Sequence, residues 1–329
     1  MIQELIPLCD KKEWEDRLRE VPHSFSHTWE SNNAMHLSTG YKTFLYHYES
    51  GNEHVICPLA EREFKGYIDI VTPYGFSGFT AGSASPEFYN YWKILMTEKG
   101  YICAYINQDP FQKFPQLPIQ EHADNPHYVY AIELDKEEIE VFNNLSQNRK
   151  RQLKNFVQIK EEIISDKKVL AEFFLSNYYE SMLSKQAAPV YIFSAETLQR
   201  IIESDNTSIF GIMSGSSILA VSVFAEGSWN ADYLFNVSVP EGKAFGAHLI
   251  WQAVLYYKAK GKRLLNLGGG VVPGDNLEDF KMRFGGIRKP LQPLREIFNA
   301  DIYNKLCIEC GMAGEKSNYF PAYRSLKRI

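Results

Sequence analysis

The chain has 329 residues, 45% of them hydrophobic and 23% charged, and a formal net charge of -5. That balance describes a folded protein of about two domains, and it excludes a disordered chain and a general nucleic-acid binder, DNA included. The longest apolar stretches, such as Ile218 to Ala225, fall far short of the ~20 residues of a membrane span. Met1 to Lys12 carries Glu4 and Asp10 and no signal-type apolar core, so a cytoplasmic location is expected.

In chain order, Glu13 to Arg19 reads as a short helix with Trp14 and Leu18 on one face, and Ser24 to Leu37 as a second. Thr43 to Tyr48 and His54 to Leu59 flank a Gly51-Asn52 turn, a hairpin signal, and Tyr67 to Val71 adds a strand. Pro73 to Phe79 is a loop. Ser85 suits an N-cap with Pro86 behind it, and Gly100 closes that helix before a strand at Tyr101 to Ile106. Lys168 to about Lys185 is helical. A proline- and aromatic-bearing loop with Tyr191 and Phe193 follows, open to either a substrate-facing or a core-plugging role, and then a helix capped by Ser194.

Ile209 to Met213 and Ile218 to Phe224 form another hairpin through Gly215 and lead into the strand Asp232 to Val237. Lys243 to His248 then opens a helix in which Leu249, Ile250, Ala253, Val254 and Tyr257 share a face, and Gly261 ends it. Leu264 to Leu267 is a short apolar strand running into Gly268-Gly269-Gly270. A helix opened by a glycine-containing loop presents unpaired N–H groups and the positive end of its dipole, a place for a phosphate or pyrophosphate.

The same order of elements occurs twice. Gly51 matches Gly215, Tyr67-Ile68-Asp69 matches Asp232-Tyr233-Leu234, Pro73-Tyr74-Gly75 matches Pro240-Glu241-Gly242, and Gly100 matches Gly261, at nearly equal offsets. The expected architecture is therefore α/β, as two related domains over 1–140 and 141–329, each a mixed twisted sheet flanked by helices. The second carries the phosphate-type loop and the first a degenerate one. Near their junction Asn148 to Lys160 holds Arg149, Lys150, Arg151, Lys154 and Lys160 without an acid. It reads either as a solvated helix face or as a phosphate contact at a cleft between the domains.

Cys9, Cys57, Cys103, Cys307 and Cys310 form an odd, scattered set read as free thiols, and Cys307 and Cys310 lack a second pair at zinc-site spacing, so no metal is expected. No Ser-His-Asp or Cys-His set has a local motif. Covalent catalysis on an activated side chain is therefore not expected.

Phe280-Lys281-x-Arg283-Phe284-Gly285, taken with Asp232-Tyr233-Leu234-Phe235, Leu267-Gly268-Gly269-Gly270 and Pro73-Tyr74-Gly75-Phe76-Ser77-Gly78, resembles the Fem-type peptidyltransferases and their FemAB-like, GNAT-fold acyltransferase relatives, from about residue 25 to 300. The resemblance implies tandem GNAT-like domains and acyl transfer to an amine. The donor would be acetyl-CoA or another acyl-CoA, the acceptor a sugar or a nucleotide- or lipid-linked cell-envelope precursor. Aminoacyl-tRNA is the alternative donor, and an inactive ligand-binding duplication the other alternative. It implies donor binding at Lys243, Ala244, Phe245, Gly246, Ala247 and His248, where His248 replaces a small residue of the GNAT pattern. It also implies a phosphate contact from Lys281, a substrate contact from Tyr74 in the matching first-half motif, and substrate-facing tyrosines at Tyr233 and Tyr191; Arg149, from the acid-free basic run, is expected to meet the acceptor's phosphate. Asp232, ahead of Glu226, is the expected base because it sits on the central strand.

Overall fold

Two glycine-turned hairpins seed two sheets. The strands are β1 (Ile2–Pro7), β2 (Thr43–Ser50), β3 (Glu53–Phe64), β4 (Tyr67–Val71), β5 (Thr80–Ala81), β6 (Cys103–Ile106) and β7 (Tyr128–Glu133). They continue with β8 (Ile163–Ile164), β9 (Thr207–Ser214), β10 (Ser217–Glu226), β11 (Asn230–Ser238), β12 (Leu264–Gly269), β13 (Ile287–Pro290) and β14 (Leu294–Ile297). The structure is a computed structural model that describes residues 1–112, 114, 117–118, 126–312 and 319–325.

One sheet has the order β1-β2-β3-β4-β6-β14 with β5 against β3, and the other β13-β7-β12-β11-β10-β9-β8. Set side by side, β1-β2-β3-β4-β6-β14 and β8-β9-β10-β11-β12-β7 share one topology. Three antiparallel pairings are followed by one parallel pairing and a last antiparallel one. The matched glycines adopt matched left-handed backbones, φ +61° at Gly51 and +59° at Gly215, +76° at Gly100 and +73° at Gly261, which is why those residues survive as the visible trace of the repeat. The expected pair of related α/β domains is what the chain forms.

The linear division at 140/141 is not how the chain divides. β7 follows β6 in sequence but pairs with β12 and β13, while β14 follows β12 but pairs with β6. Each sheet thus includes a strand from the other half of the chain, β14 at the edge of the first and β7 between β13 and β12 in the second. The compact units are Met1–Pro22, Thr39–Asp124 and Leu291–Ile329 on one hand and His23–Ser38 and Asn125–Pro290 on the other. A short apolar run carries no information about which sheet edge it will complete.

In the first unit the helix Glu87–Glu98 lays Phe88, Trp92 and Met96 onto the sheet beside Phe79 and Tyr48. It begins one residue later than expected, because Ser85 turns its hydroxyl to Glu53 Oε2 at 3.0 Å. Cys307 packs with Tyr303 and Met312 on the helix Ala300–Glu309, with Cys310 as its C-cap, so the pair is part of a helix end.

In the second unit both faces of the sheet are covered. The helix Gly246–Ala259 buries the expected face of Leu249, Ile250, Ala253, Val254 and Tyr257. The helices Lys167–Ser184 and Ala195–Glu203 bury Leu170, Phe174, Leu198 and Ile201 on the other side. Two-sided burial is the reason β10 reads as a continuous apolar run.

Packing at two glycines gives a stability prediction. A Cβ on Gly242 would lie 1.9 Å from Leu219 O, whereas on Gly246 it would meet nothing nearer than Phe280 Cζ at 3.8 Å. Gly242→Ala should therefore cost roughly 1–3 kcal/mol in urea unfolding through overpacking. Gly246→Ala should change stability by less than about 1 kcal/mol, since Ala suits a helix start.

Candidate functional site

The second sheet opens at its centre. β11 and β12 pair in parallel over only Asn230–Leu264, Ala231–Leu265 and Asp232–Asn266. Beyond that point each strand runs on with its outer neighbour, β11 with β10 as far as Ser238 and β12 with β7 as far as Gly269. The last parallel step is polar and buried: Asn266 Nδ2 donates to Asp232 Oδ1 at 3.0 Å, and Asn266 Oδ1 accepts from Gly268 N at 2.8 Å. A carboxylate and an amide thus sit side by side at the last paired step, where the gap between the two strands begins.

The first unit treats the matching gap differently. There the parallel pair ends at Val71–Tyr105, and the chain closes it with Thr72 N to Tyr105 O at 3.1 Å, Asn107 N to Thr72 Oγ1 at 3.0 Å and Asn107 Nδ2 to Gly75 O at 2.6 Å.

Lys281 reaches the rim of the open gap. It lies on the helix Asn276–Met282, is 8% exposed, and donates from Nζ to Gly269 O at 2.6 Å. Burial lowers its pKa to about 8, against a smaller opposing pull from Asp275. The glycine run makes room for it. Gly268 has φ +72° with its Cβ position 3.1 Å from Lys281 Nζ, and Gly269 leaves no space for a Cβ against Tyr128 O.

The loop from Gly270 to Asp275 is tied down by two acids. Asp275 caps the helix, accepting from Glu278 N at 2.7 Å and from Val271 N and Val272 N at 2.6 and 3.0 Å. Glu278 accepts from Gly274 N at 2.5 Å and from the Tyr130 hydroxyl at 2.7 Å; these bonds hold its carboxyl low, and burial with Glu278 pushes the phenol up to about 12.

Arg149 holds the other end of that helix and is not on the surface. It is 3% exposed, lies between the rings of Phe280 and Phe284 at 4.4 and 4.2 Å, and donates to Phe280 O at 3.0 Å and Gln152 Oε1 at 2.6 Å. Ser146 N adds a bond to Arg283 O at 3.0 Å. A cation on the terminal carbonyls of a helix satisfies groups that have no partner within it. Gly285 and Gly286 pack where a Cβ would strike Asn144 O and Ala131 O. Arg283 pairs with Asp279 at 2.6 Å, so each named residue of the Phe-Lys-x-Arg-Phe-Gly-Gly block has a structural partner, with Arg149 as its buried clamp in place of the expected phosphate contact. Lys150 is likewise engaged, donating to Asn143 O at 2.8 Å.

The expected donor residues divide. Pro240–Phe245 is a 3-10 helix, not an open loop, and it runs straight into Gly246–Ala259 through helical backbone at Phe245. Lys243 and Ala244 are exposed, Phe245 and Gly246 half-buried, and Ala247 and His248 buried. The His248 ring packs on Phe156 and Phe245, with Nε2 3.5 Å from Asn155 Oδ1.

Asp232 and Tyr233 face opposite sides of the sheet, as neighbours on a strand must. Tyr233 packs on Phe224 toward the helix Gly246–Ala259, and burial pushes its phenol up. Asp232 stands opposite Ala225, on the side of Tyr178, whose hydroxyl holds the Tyr191 carbonyl at 2.6 Å. Tyr74 is in the first unit, in the exposed part of its loop. Glu226, the second candidate base, is paired with Lys260 and Lys262.

Asn266, Tyr130, Asp275 and Glu278 are the contributors that the sequence reading missed. A polar residue inside an apolar strand was the available signal for Asn266, and Asp-x-x-Glu before a helix for the other two acids.

Removing the buried charge should stabilise the fold. The native Lys281 pKa lies below the unfolded one, so the penalty is complete below about pH 8 and fades as pH rises toward the ordinary lysine value. Lys281→Met should raise the unfolding free energy at pH 7, by at most on the order of 3 kcal/mol, and the melting temperature with it, the gain shrinking above pH 9. Arg149→Ala, which frees helix carbonyls and opens a gap between two rings, should lower it.

No protein-family model matches the sequence, and neither does any curated relative. Solved structures do. FemX superposes with a TM-score of 0.67 at 12% identity, covering 92% of this chain and 99% of that one. L-PGS from Bacillus licheniformis gives 0.56 at 11%, covering 93% and 98%. The C-terminal domain of a putative lysylphosphatidylglycerol synthetase from Agrobacterium fabrum gives 0.53 at 11%, covering 90% and 92%. The chain thus shares the fold of FemX, in line with the Fem-type resemblance of its motifs.

Proposed function

We propose that this chain transfers an acyl group from a thioester or ester to an amine, with the reacting carbonyl lodged where β11 and β12 part. The observation that carries the reading is the gap floored by Asp232 and Asn266 and edged by Lys281. Unpaired strand edges hold an extended donor by backbone hydrogen bonds, and a site of low dielectric strengthens each charge that faces it. Asp232, oriented by Asn266, takes a proton from the acceptor's ammonium so that the neutral amine attacks the carbonyl; the C–S or C–O bond then breaks, and the proton lost by the nitrogen leaves with the thiol or alcohol. Lys281 is largely cationic at neutral pH and offers N–H donors to the developing oxyanion. Tyr191, on the same side of the sheet as Asp232, lines the acceptor's approach. The first unit's stitched gap supports placing the chemistry in the second.

Burial pushes the Cys57 thiol far up and Cys103 to about 12, which makes both poor nucleophiles and supports a direct transfer. The donor is read as acyl-CoA, its phosphates meeting Lys243 and the exposed turn at Ala244. The acceptor is an amine on a sugar or on a nucleotide- or lipid-linked envelope precursor. A second donor, an aminoacyl ester on tRNA, is favoured by one feature: the 3-10 helix at Pro240–Phe245 uses backbone N–H groups that a pyrophosphate would otherwise take. A structure of the same fold bears the name lysylphosphatidylglycerol synthetase, which supports an aminoacyl donor as well.

Purified protein given acetyl-CoA, longer acyl-CoAs or aminoacyl-tRNA with amine acceptors should form an amide product with sequential initial-rate patterns. Asp232→Asn should lower kcat by about 10²–10⁴, and Lys281→Met by about 10²–10³. Rate should also fall as pH rises through about 8, where Lys281 loses its charge. Wild-type turnover in both variants, or parallel-line kinetics with an acylated protein that chases to product, would overturn the reading.

A further inference from the structure

We propose that Glu20, His47 and His54, all in the first unit, form a binding site for a divalent transition cation of the zinc class. The three offer donor atoms within 4.8 Å of one another. The hairpin β2–β3 sets the two imidazoles on one face, because His47 pairs with Ile56 and His54 lies two residues before it. Their rings stand 6.2 Å apart and 21° from parallel. Glu20 follows the helix Lys11–Leu18 and brings Oε2 to 2.9 Å from His54 Nδ1, a contact not aligned as a hydrogen bond.

The second observation is at His47. Its side chain is fully buried, its Nδ1 is held by Glu4 Oε1 at 3.0 Å from the neighbouring strand, and its Nε2 is buried without any hydrogen-bond partner. A carboxylate on one imidazole nitrogen with the other left bare is the arrangement by which proteins orient a metal-ligating histidine.

The donor set suits zinc. Two imidazoles and a carboxylate match a borderline ion with bonds of about 2.0–2.2 Å, for which tetrahedral geometry puts ligand atoms roughly 3.3 Å apart. The Glu20 side chain, 41% exposed, has room to move toward that spacing, and water would supply a fourth ligand. The neighbouring cation Arg17 is occupied by Glu13 at 2.7 Å and Glu49 at 3.6 Å. Sequence spacing does not show the site, because its parts come from a hairpin and a separate helix end. The proposal is independent of the acyl-transfer reading.

The test uses the full chain stripped with chelator and then titrated with Zn²⁺ and Co²⁺. One equivalent should bind per chain, with the intense visible bands of tetrahedral Co²⁺ and a rise in melting temperature. Glu20→Gln and His54→Gln, at half-exposed positions where folding survives, should each weaken binding about 10-fold or more and remove the Co²⁺ bands; His47→Gln should do the same if it folds. Absence of binding by the wild type would overturn the site. So would undiminished binding in Glu20→Gln and His54→Gln, or binding that disappears only in Cys310→Ser.

Discussion

The structure depends on the parting of two parallel strands. β11 and β12 share only the three pairs ending at Asp232–Asn266, and each is then kept straight by its outer partner. The gap is therefore not a flaw in the sheet, because the strand on either side is fully supported. A buried Asp–Asn pair at its floor is tolerable because Asn266 donates to the carboxylate and accepts from Gly268 N. The repeat in the first unit, with Val71 and Tyr105 at that step and Thr72 and Asn107 stitching beyond it, is the same architecture with the opening filled. One fold has thus been used twice, with the strands stitched together in one copy and parted in the other.

Keeping a lysine at the rim of that gap has a structural cost, and the surrounding elements are arranged to bear it. Glu278 and Asp275 fix the loop that leads into the short helix, and Arg149, between two phenyl rings, fixes its end. A helix of this length is marginal alone, so its position is set almost wholly by such contacts. They hold the ammonium against Gly269 O where desolvation brings its pKa near neutrality, a state in which a cation can both stabilise charge and exchange a proton.

The exchange of closing strands has a further consequence. Since β7 and β14 each complete the sheet of the other half, neither half of the sequence contains a whole sheet. The long-range pairings this requires carry a loop-closure cost that must be met before the contacts form. Separate expression of residues 1–140 and 141–329 would divide both units, which are interleaved in the chain.

The sequence by itself determined the elements and their repetition. Glycines at 51, 215, 100 and 261 mark left-handed turns that other residues enter only at a cost, and the apolar face from Leu249 to Tyr257 marks a helix over a sheet. These are local constraints, written in local sequence. It also placed Asp232 on the central strand and Lys281 in its motif. Tertiary structure alone decided that Arg149 is a buried clamp, that His248 belongs to the core, and that Asn266 meets Asp232. Each of those outcomes depends on a partner distant in sequence: Arg149 on Phe280 and Phe284, His248 on Phe156, Asp232 on a strand beyond a helix. A basic run carries the same pattern whether its arginine meets solvent or aromatic rings. Only the packing of the distant segment against it decides which, because burial and desolvation are properties of the assembled fold.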